Sequence, residues 1–260
     1  MERKPLALAN WKMAMTVDQG LTYVRTMQAD LGGLLNIIDL VICPPATALW
    51  PLSQHVRGTP IALGGQNLAP TDDSARTGEI SADLLADAGC QYVMLGHWET
   101  RRYQGDTDET INAKVHLALK SRLIPILFVG EAHDQDGPVC AALEQQLATM
   151  LRDCRPERLE DMVIVYEPES AIGQIAPPSP EHVCTGYECI RNWLSTTGGP
   201  AIAESIRIIY GGSVTPEHAL QLLECMDGLG ATRRGRDAAI FADIVRQIAY
   251  AKGGFGSPAP

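Results

Sequence analysis

No stretch of this chain approaches the roughly 18 consecutive apolar residues that a membrane-spanning helix needs. No two cysteines stand in C-x-x-C spacing, and the seven present (43, 90, 140, 154, 184, 189 and 225) are scattered and odd in number. That pattern speaks against a zinc site or a disulfide framework, and for a reducing, cytoplasmic setting. An excess of positive charge is also missing: Lys and Arg total 21 against 31 Asp and Glu, for a formal net charge of −10. This disfavours a general binder of nucleic acid or of an anionic membrane, although a local field in a pocket can still hold a small anion. The apolar run near the start, Leu6 to Ala9, is too short for a signal peptide. No Gly-x-Gly-x-x-Gly follows the first predicted strand and no Walker loop appears, so the common nucleotide-binding devices are lacking.

What is present is a repeating alternation. Short aliphatic runs at 6–11, 37–43, 60–65, 91–95, 123–128, 162–166, 205–210 and 226–230 predict strands. Between them lie helix-like segments, among them 17–30, 105–120, 138–153, 181–195 and 236–250. Runs such as Ile124–Val129 and Val163–Tyr166 are almost wholly apolar, as in parallel strands covered by helices on the sheet's outer face. Eight such units without a composition break predict one β/α domain over residues 1–252, followed by a flexible Gly- and Pro-rich tail at 253–260. The length of 260 residues suits a single eight-fold (βα)8 barrel; a doubly wound open sheet is the rival from pattern alone.

In a barrel of this kind chemistry belongs at the carboxyl ends of the strands. The strand ends read Asn10-Trp11-Lys12, Gly96-His97-Trp98-Glu99, Gly130-Glu131, Tyr166-Glu167-Pro168 and Tyr210-Gly211-Gly212-Ser213. Any one of these is most simply a solvated or structural loop residue. Together they supply a cation, an imidazole, a carboxylate and a glycine-rich phosphate cradle, which suit one reaction.

These segments, with Cys43-Pro44-Pro45, Gly65-Gln66-Asn67, Thr77-Gly78-Glu79-Ile80-Ser81 and Ala171-Ile172-Gly173, occur in an order that resembles the triosephosphate isomerase family over roughly residues 5–250. The resemblance implies an α/β fold of the (βα)8 TIM barrel type. It implies an aldose–ketose isomerase acting on a small phosphorylated sugar, most simply D-glyceraldehyde 3-phosphate and dihydroxyacetone phosphate, within glycolysis and gluconeogenesis. By resemblance Glu167 is the base that moves a proton between adjacent carbons. His97 is the neutral electrophile, as in the arrangement for which this family is itself a standard example. Lys12 supplies positive charge, Asn10 a hydrogen bond to a substrate oxygen, and Glu99 a partner for Lys12. Gly211, Gly212, Ser213, Gly173, Thr232 and Arg233 are the implied phosphate-binding residues, with the loop 168–178 as a lid. The loop 66–79, with Arg76 and Thr77, implies a homodimer in which each subunit reaches the neighbour's site. No metal and no organic cofactor is implied.

The chain also departs from the family pattern. Trp98 stands where a serine is usual, and Pro168-Glu169-Ser170 replaces Pro-Val-Trp at the start of the lid. Pro177 and Pro178 close the lid and should stiffen that hinge, because proline fixes φ. The last phosphate loop has Thr232-Arg233 in place of two glycines. These departures keep two alternatives open: an isomerase of a tetrulose or related ketose phosphate in sugar or polyol catabolism, and a non-catalytic barrel that binds a phosphorylated ligand.

Overall fold

A computed structural model describes residues 3–133 and 137–253. Its elements alternate β1 (Leu6–Asn10), α1 (Val17–Leu31), β2 (Asp39–Cys43), α2 (Ala46–Val56), β3 (Ile61–Gly65) and α3 (Ala82–Asp87). They continue with β4 (Tyr92–Leu95), α4 (Trp98–Gln104), α5 (Asp108–Lys120), β5 (Ile124–Val129), α6 (Val139–Met150) and β6 (Val163–Tyr166). The chain then runs through α7 (Pro180–Gly198), α8 (Pro200–Ser205), β7 (Arg207–Gly211), α9 (Pro216–Leu222), β8 (Gly228–Ala231) and α10 (Ala238–Lys252). All eight strands are parallel and lie in sequence order, and β8 pairs back onto β1. The sheet is therefore a closed barrel, and the doubly wound alternative falls. Most of the tail lies outside the described residues.

The period of two along each strand decides which side chains fill the barrel. In β1, Leu6 and Leu8 join an inner cluster with Val41, Met94, Ile126, Val163, Val165 and Ile209. Ala7 and Ala9 face the helices and belong to the larger outer core. The outward positions of β1 are small, whereas β2, β6 and β7 turn Leu40, Ile42, Ile164, Tyr166, Ile208 and Tyr210 toward the helices.

The predicted helix 105–120 starts later and is preceded by a separate turn of helix. Gly105 takes a left-handed φ of 76° and ends α4, and Thr107 opens α5 with a capping box. Left-handed φ is a low-cost conformation only for glycine, so this position stops one helix before the next begins.

Four of the cysteines overturn the expectation of scattered free thiols, and with it the argument from cysteine for a reducing setting. Disulfides join Cys140 to Cys189 and Cys184 to Cys225. The reason is helical geometry. Cys184 and Cys189 sit five residues apart on α7, roughly 140° around its axis. One therefore meets α6 and the other meets the turn after α9. Cys43, Cys90 and Cys154 are free. No described helix is long and apolar enough to cross a membrane.

Candidate active site

The strand ends converge as the chain's periodicity required. Asn10 closes β1 and is nearly buried, and its Oδ1 accepts the backbone N–H of Lys12 at 2.9 Å. That bond occupies the acceptor end of the amide, so the donor end is what Asn10 can offer a ligand. Lys12 itself has φ of 52°, a left-handed value that costs a residue with a side chain about 1 kcal/mol or more. Two contacts hold it there: the bond from Asn10, and Gln66 Nε2 donating to the Lys12 carbonyl at 2.8 Å. The consequence is a side chain turned across the barrel mouth, where Nζ meets Glu99 Oε1 at 2.8 Å.

His97 follows β4 and caps α4. Its Nδ1 accepts the N–H of Glu99 at 3.2 Å, so the neutral ring carries its proton on Nε2. Burial, and then the charge of Lys12, push the imidazole down to about 3. Burial is the larger cause, and the helix contributes directly through the Glu99 N–H. Phe128 packs edge-on against the ring at 5.1 Å between centroids. His97 Nε2 has no hydrogen-bond partner within the described chain.

Glu167 follows β6 and lies 3.8 Å from that nitrogen through Oε2. Burial pushes its carboxyl up to about 8, against the pull of Lys12 and with a further push from Glu99. The backbone around it is tightly enclosed. A side chain at Gly130 would overlap the Glu167 carbonyl, and one at Gly211 would come within 2.5 Å of Val165 Cγ1 and 3.5 Å of Glu167 Oε1. Gly130 after β5 and Gly211 at the end of β7 thus leave room for the base between them.

Lys12, Glu99 and Glu167 line a cavity of about 480 Å³ together with Gly173, Gly212, Ser213, Thr232 and Arg233. The loop 168–178 borders this space through Ile172, Gly173, Gln174 and Ile175. The Ser213 hydroxyl donates to the Gln174 carbonyl at 2.6 Å, with the Ala171 carbonyl at 3.1 Å. Trp98 forms part of the same wall and also borders a neighbouring cavity of about 430 Å³. Arg76 and Thr77 are not part of this assembly: both sit on an exposed loop. The base of that loop is fixed by Lys114, whose ammonium donates to Asn67 Oδ1 at 2.9 Å and pairs with buried Asp106 at 2.5 Å. Among the described residues no group of three or more His, Cys, Asp or Glu side chains is placed to hold a metal ion.

Two features escaped the reading of the sequence. Glu131 carries a network at the root of the lid: its carboxylate meets His182 Nε2 at 2.7 Å and accepts from the Tyr166 hydroxyl at 3.0 Å. Its backbone carbonyl also accepts the N–H of Glu169 at 3.0 Å. Glu131 therefore touches both the start of the lid and the helix into which the lid runs. The other feature is that Arg234 and Arg236 line the cavity beside Arg233. The run Arg233-Arg234-Gly235-Arg236 was the available signal for them. No spacing announced His182.

The chain matches the triosephosphate isomerase family over residues 5–248. The triosephosphate isomerase of Herpetosiphon aurantiacus is 40% identical over 248 residues, covering 94% of this chain and 99% of that one. That of Symbiobacterium thermophilum is 38% identical over 254 residues, covering 96% and 99%. The crystal structure of triosephosphate isomerase from Bartonella henselae superimposes with a TM-score of 0.83 at 30% identity, covering 94% of this chain and 98% of that one. The barrel and these matches establish that the chain belongs to the triosephosphate isomerase family, a family of isomerases.

Proposed function

We propose that this protein interconverts D-glyceraldehyde 3-phosphate and dihydroxyacetone phosphate through a cis-enediol(ate). The observation that carries the reading is a buried carboxyl, Glu167, facing a neutral imidazole at 3.8 Å beside the ammonium of Lys12. A carboxylate held near neutrality can take a carbon-bound proton and return it to the next carbon. His97 Nε2–H donates to the carbonyl oxygen, where negative charge develops. Lys12 stabilises that charge and Asn10 donates to a substrate oxygen. Glu99 keeps the Lys12 ammonium in place. The phosphate is held by backbone N–H groups at Gly173, Gly211, Gly212 and Ser213, with Thr232 and Arg233 beside them. The lid excludes water and so protects the intermediate.

We further infer that the catalytic barrel comprises residues 1–252, that two copies pair through the loop carrying Arg76 and Thr77, and that the enzyme works in the cytoplasm, where small phosphorylated sugars are made and consumed. Met13, next to Lys12, is 99% exposed in the single chain, as an apolar residue awaiting a partner surface would be. The test measures isomerisation of glyceraldehyde 3-phosphate and of erythrulose phosphates side by side. Turnover of the triose phosphate supports the reading. Faster turnover of a tetrulose phosphate replaces the substrate, and no turnover of either ends the enzyme reading.

A further inference from the structure

The last loop of the barrel places three guanidinium groups where a single phosphate has use for fewer. Arg233, Arg234 and Arg236 all line the cavity that holds Lys12 and Glu167. They are three of the chain's 21 basic residues, gathered within four positions of a protein whose net charge is −10. The loop is positioned from both sides. Gly235 is buried against Ala9 at the end of β1, and its carbonyl accepts the buried Tyr23 hydroxyl at 2.7 Å. Asp237 then caps α10 by accepting from the N–H of Ile240 at 3.1 Å. The arginines are thus displayed from a fixed turn, and all three are solvent-exposed. Glu217 feels the charge of Arg234. No hydrogen bond or ion pair joins Arg233 or Arg236 to another described residue.

The charges of the cavity sort into two groups. Lys12 is already paired with Glu99 and sits by the reacting end. The arginines share the cavity wall with Gly212, Ser213 and Thr232, residues of the proposed phosphate cradle. One phosphate cradled by backbone N–H groups and Arg233 leaves Arg236, and Arg234 with Glu217 nearby, to bind a second anion. Guanidinium groups grip phosphate oxygens through charge-assisted, often bidentate hydrogen bonds. We propose that residues Arg234 and Arg236 form a second anion subsite, so that small ligands carrying two phosphate groups bind this cavity competitively and more tightly than singly phosphorylated ones. The proposal rests on the reading that the glycine-rich loops hold a first phosphate.

The test titrates the full-length protein with inorganic phosphate and with pyrophosphate at one ionic strength, by calorimetry. Pyrophosphate should bind at least about tenfold more tightly, a difference of roughly 1.4 kcal/mol. In the double variant Arg234→Ala/Arg236→Ala that ratio should fall to about threefold or less. Arg25→Ala/Arg246→Ala, which removes two cations from α1 and α10, controls for net charge and should keep the original ratio. Arg234 and Arg236 are both exposed, and a circular dichroism spectrum verifies that the fold is kept; if it is lost, Arg234→Lys/Arg236→Lys serves instead, with a smaller fall in the ratio. Phosphate binding with a ratio near one, or a ratio unchanged in the double variant, overturns the subsite and leaves the cradle standing. Arginine-dependent binding of pyrophosphate without binding of phosphate supports the subsite and removes the cradle reading. Binding of neither anion overturns both.

Discussion

Replacing Glu167 by glutamine should make the protein more stable and less active, with a stability gain that depends on pH. In the native state the Glu167 carboxyl is pushed up from 4.5 to about 8, chiefly by burial. Each tenfold change in the proton equilibrium corresponds to 1.36 kcal/mol, so a carboxyl raised that far costs at most roughly 5 kcal/mol to ionise. Between pH 4.5 and 8 the unfolded chain has released the proton that the native state retains. The native state binds more protons, so stability falls as pH rises through this window and levels off above it. Glutamine fills nearly the same volume and has no proton to lose. Urea unfolding of both proteins, at one protein concentration and at pH values from 4 to 9, isolates this contribution, because titrating groups remote from Glu167 cancel in the difference. The stability of the variant relative to the parent should climb by several kcal/mol across the window. A difference that stays flat to within about 0.5 kcal/mol would refute the claim that this carboxyl is buried at a cost to the fold.

Two further perturbations test the frame around that group. Gly130→Ala introduces a methyl against the Glu167 carbonyl and the nitrogen of Pro168, so it should lower stability by about 1–3 kcal/mol and depress kcat as well; a melt and a rate measurement check both. Thiol titration of the unfolded, unreduced protein should find three free cysteines and, after reduction, seven. The bridges span 49 and 41 residues, so chain entropy predicts that reduction costs about 4 kcal/mol per bridge.

Much of the site was legible because it hangs on strand ends. Alternation in Leu6-Ala7-Leu8-Ala9 marks a strand with two covered faces, and the polar residue that follows such a strand has one place to go. Asn10, Lys12, His97 and Glu167 are legible in that way as positions, while their roles came from the resemblance to the family. His182 was not. It reaches Glu131 and Tyr166 only because α7 brings its first turn back over the end of β6, a packing event between segments 16 and 51 residues apart. The disulfides were hidden for a related reason. Cys184 and Cys189 have no diagnostic spacing along the chain, and they become partners of Cys225 and Cys140 once α7 lies between α6 and α9. Arg234 and Arg236 went unread in the sequence, and it is the turn around Gly235 that sets them on the cavity wall. The boundary between α4 and α5 depended on one left-handed glycine inside an otherwise helical stretch.

The central claim is that Glu167 moves a proton between two carbons of a triose phosphate. Incubating dihydroxyacetone phosphate with the protein in deuterium oxide and following deuterium at the carbon beside the carbonyl by proton NMR tests this directly. The account predicts rapid incorporation with the unmodified protein and a rate lower by a factor on the order of 10²–10⁴ with Glu167→Gln. Incorporation by the variant within about tenfold of the parent rate would contradict it.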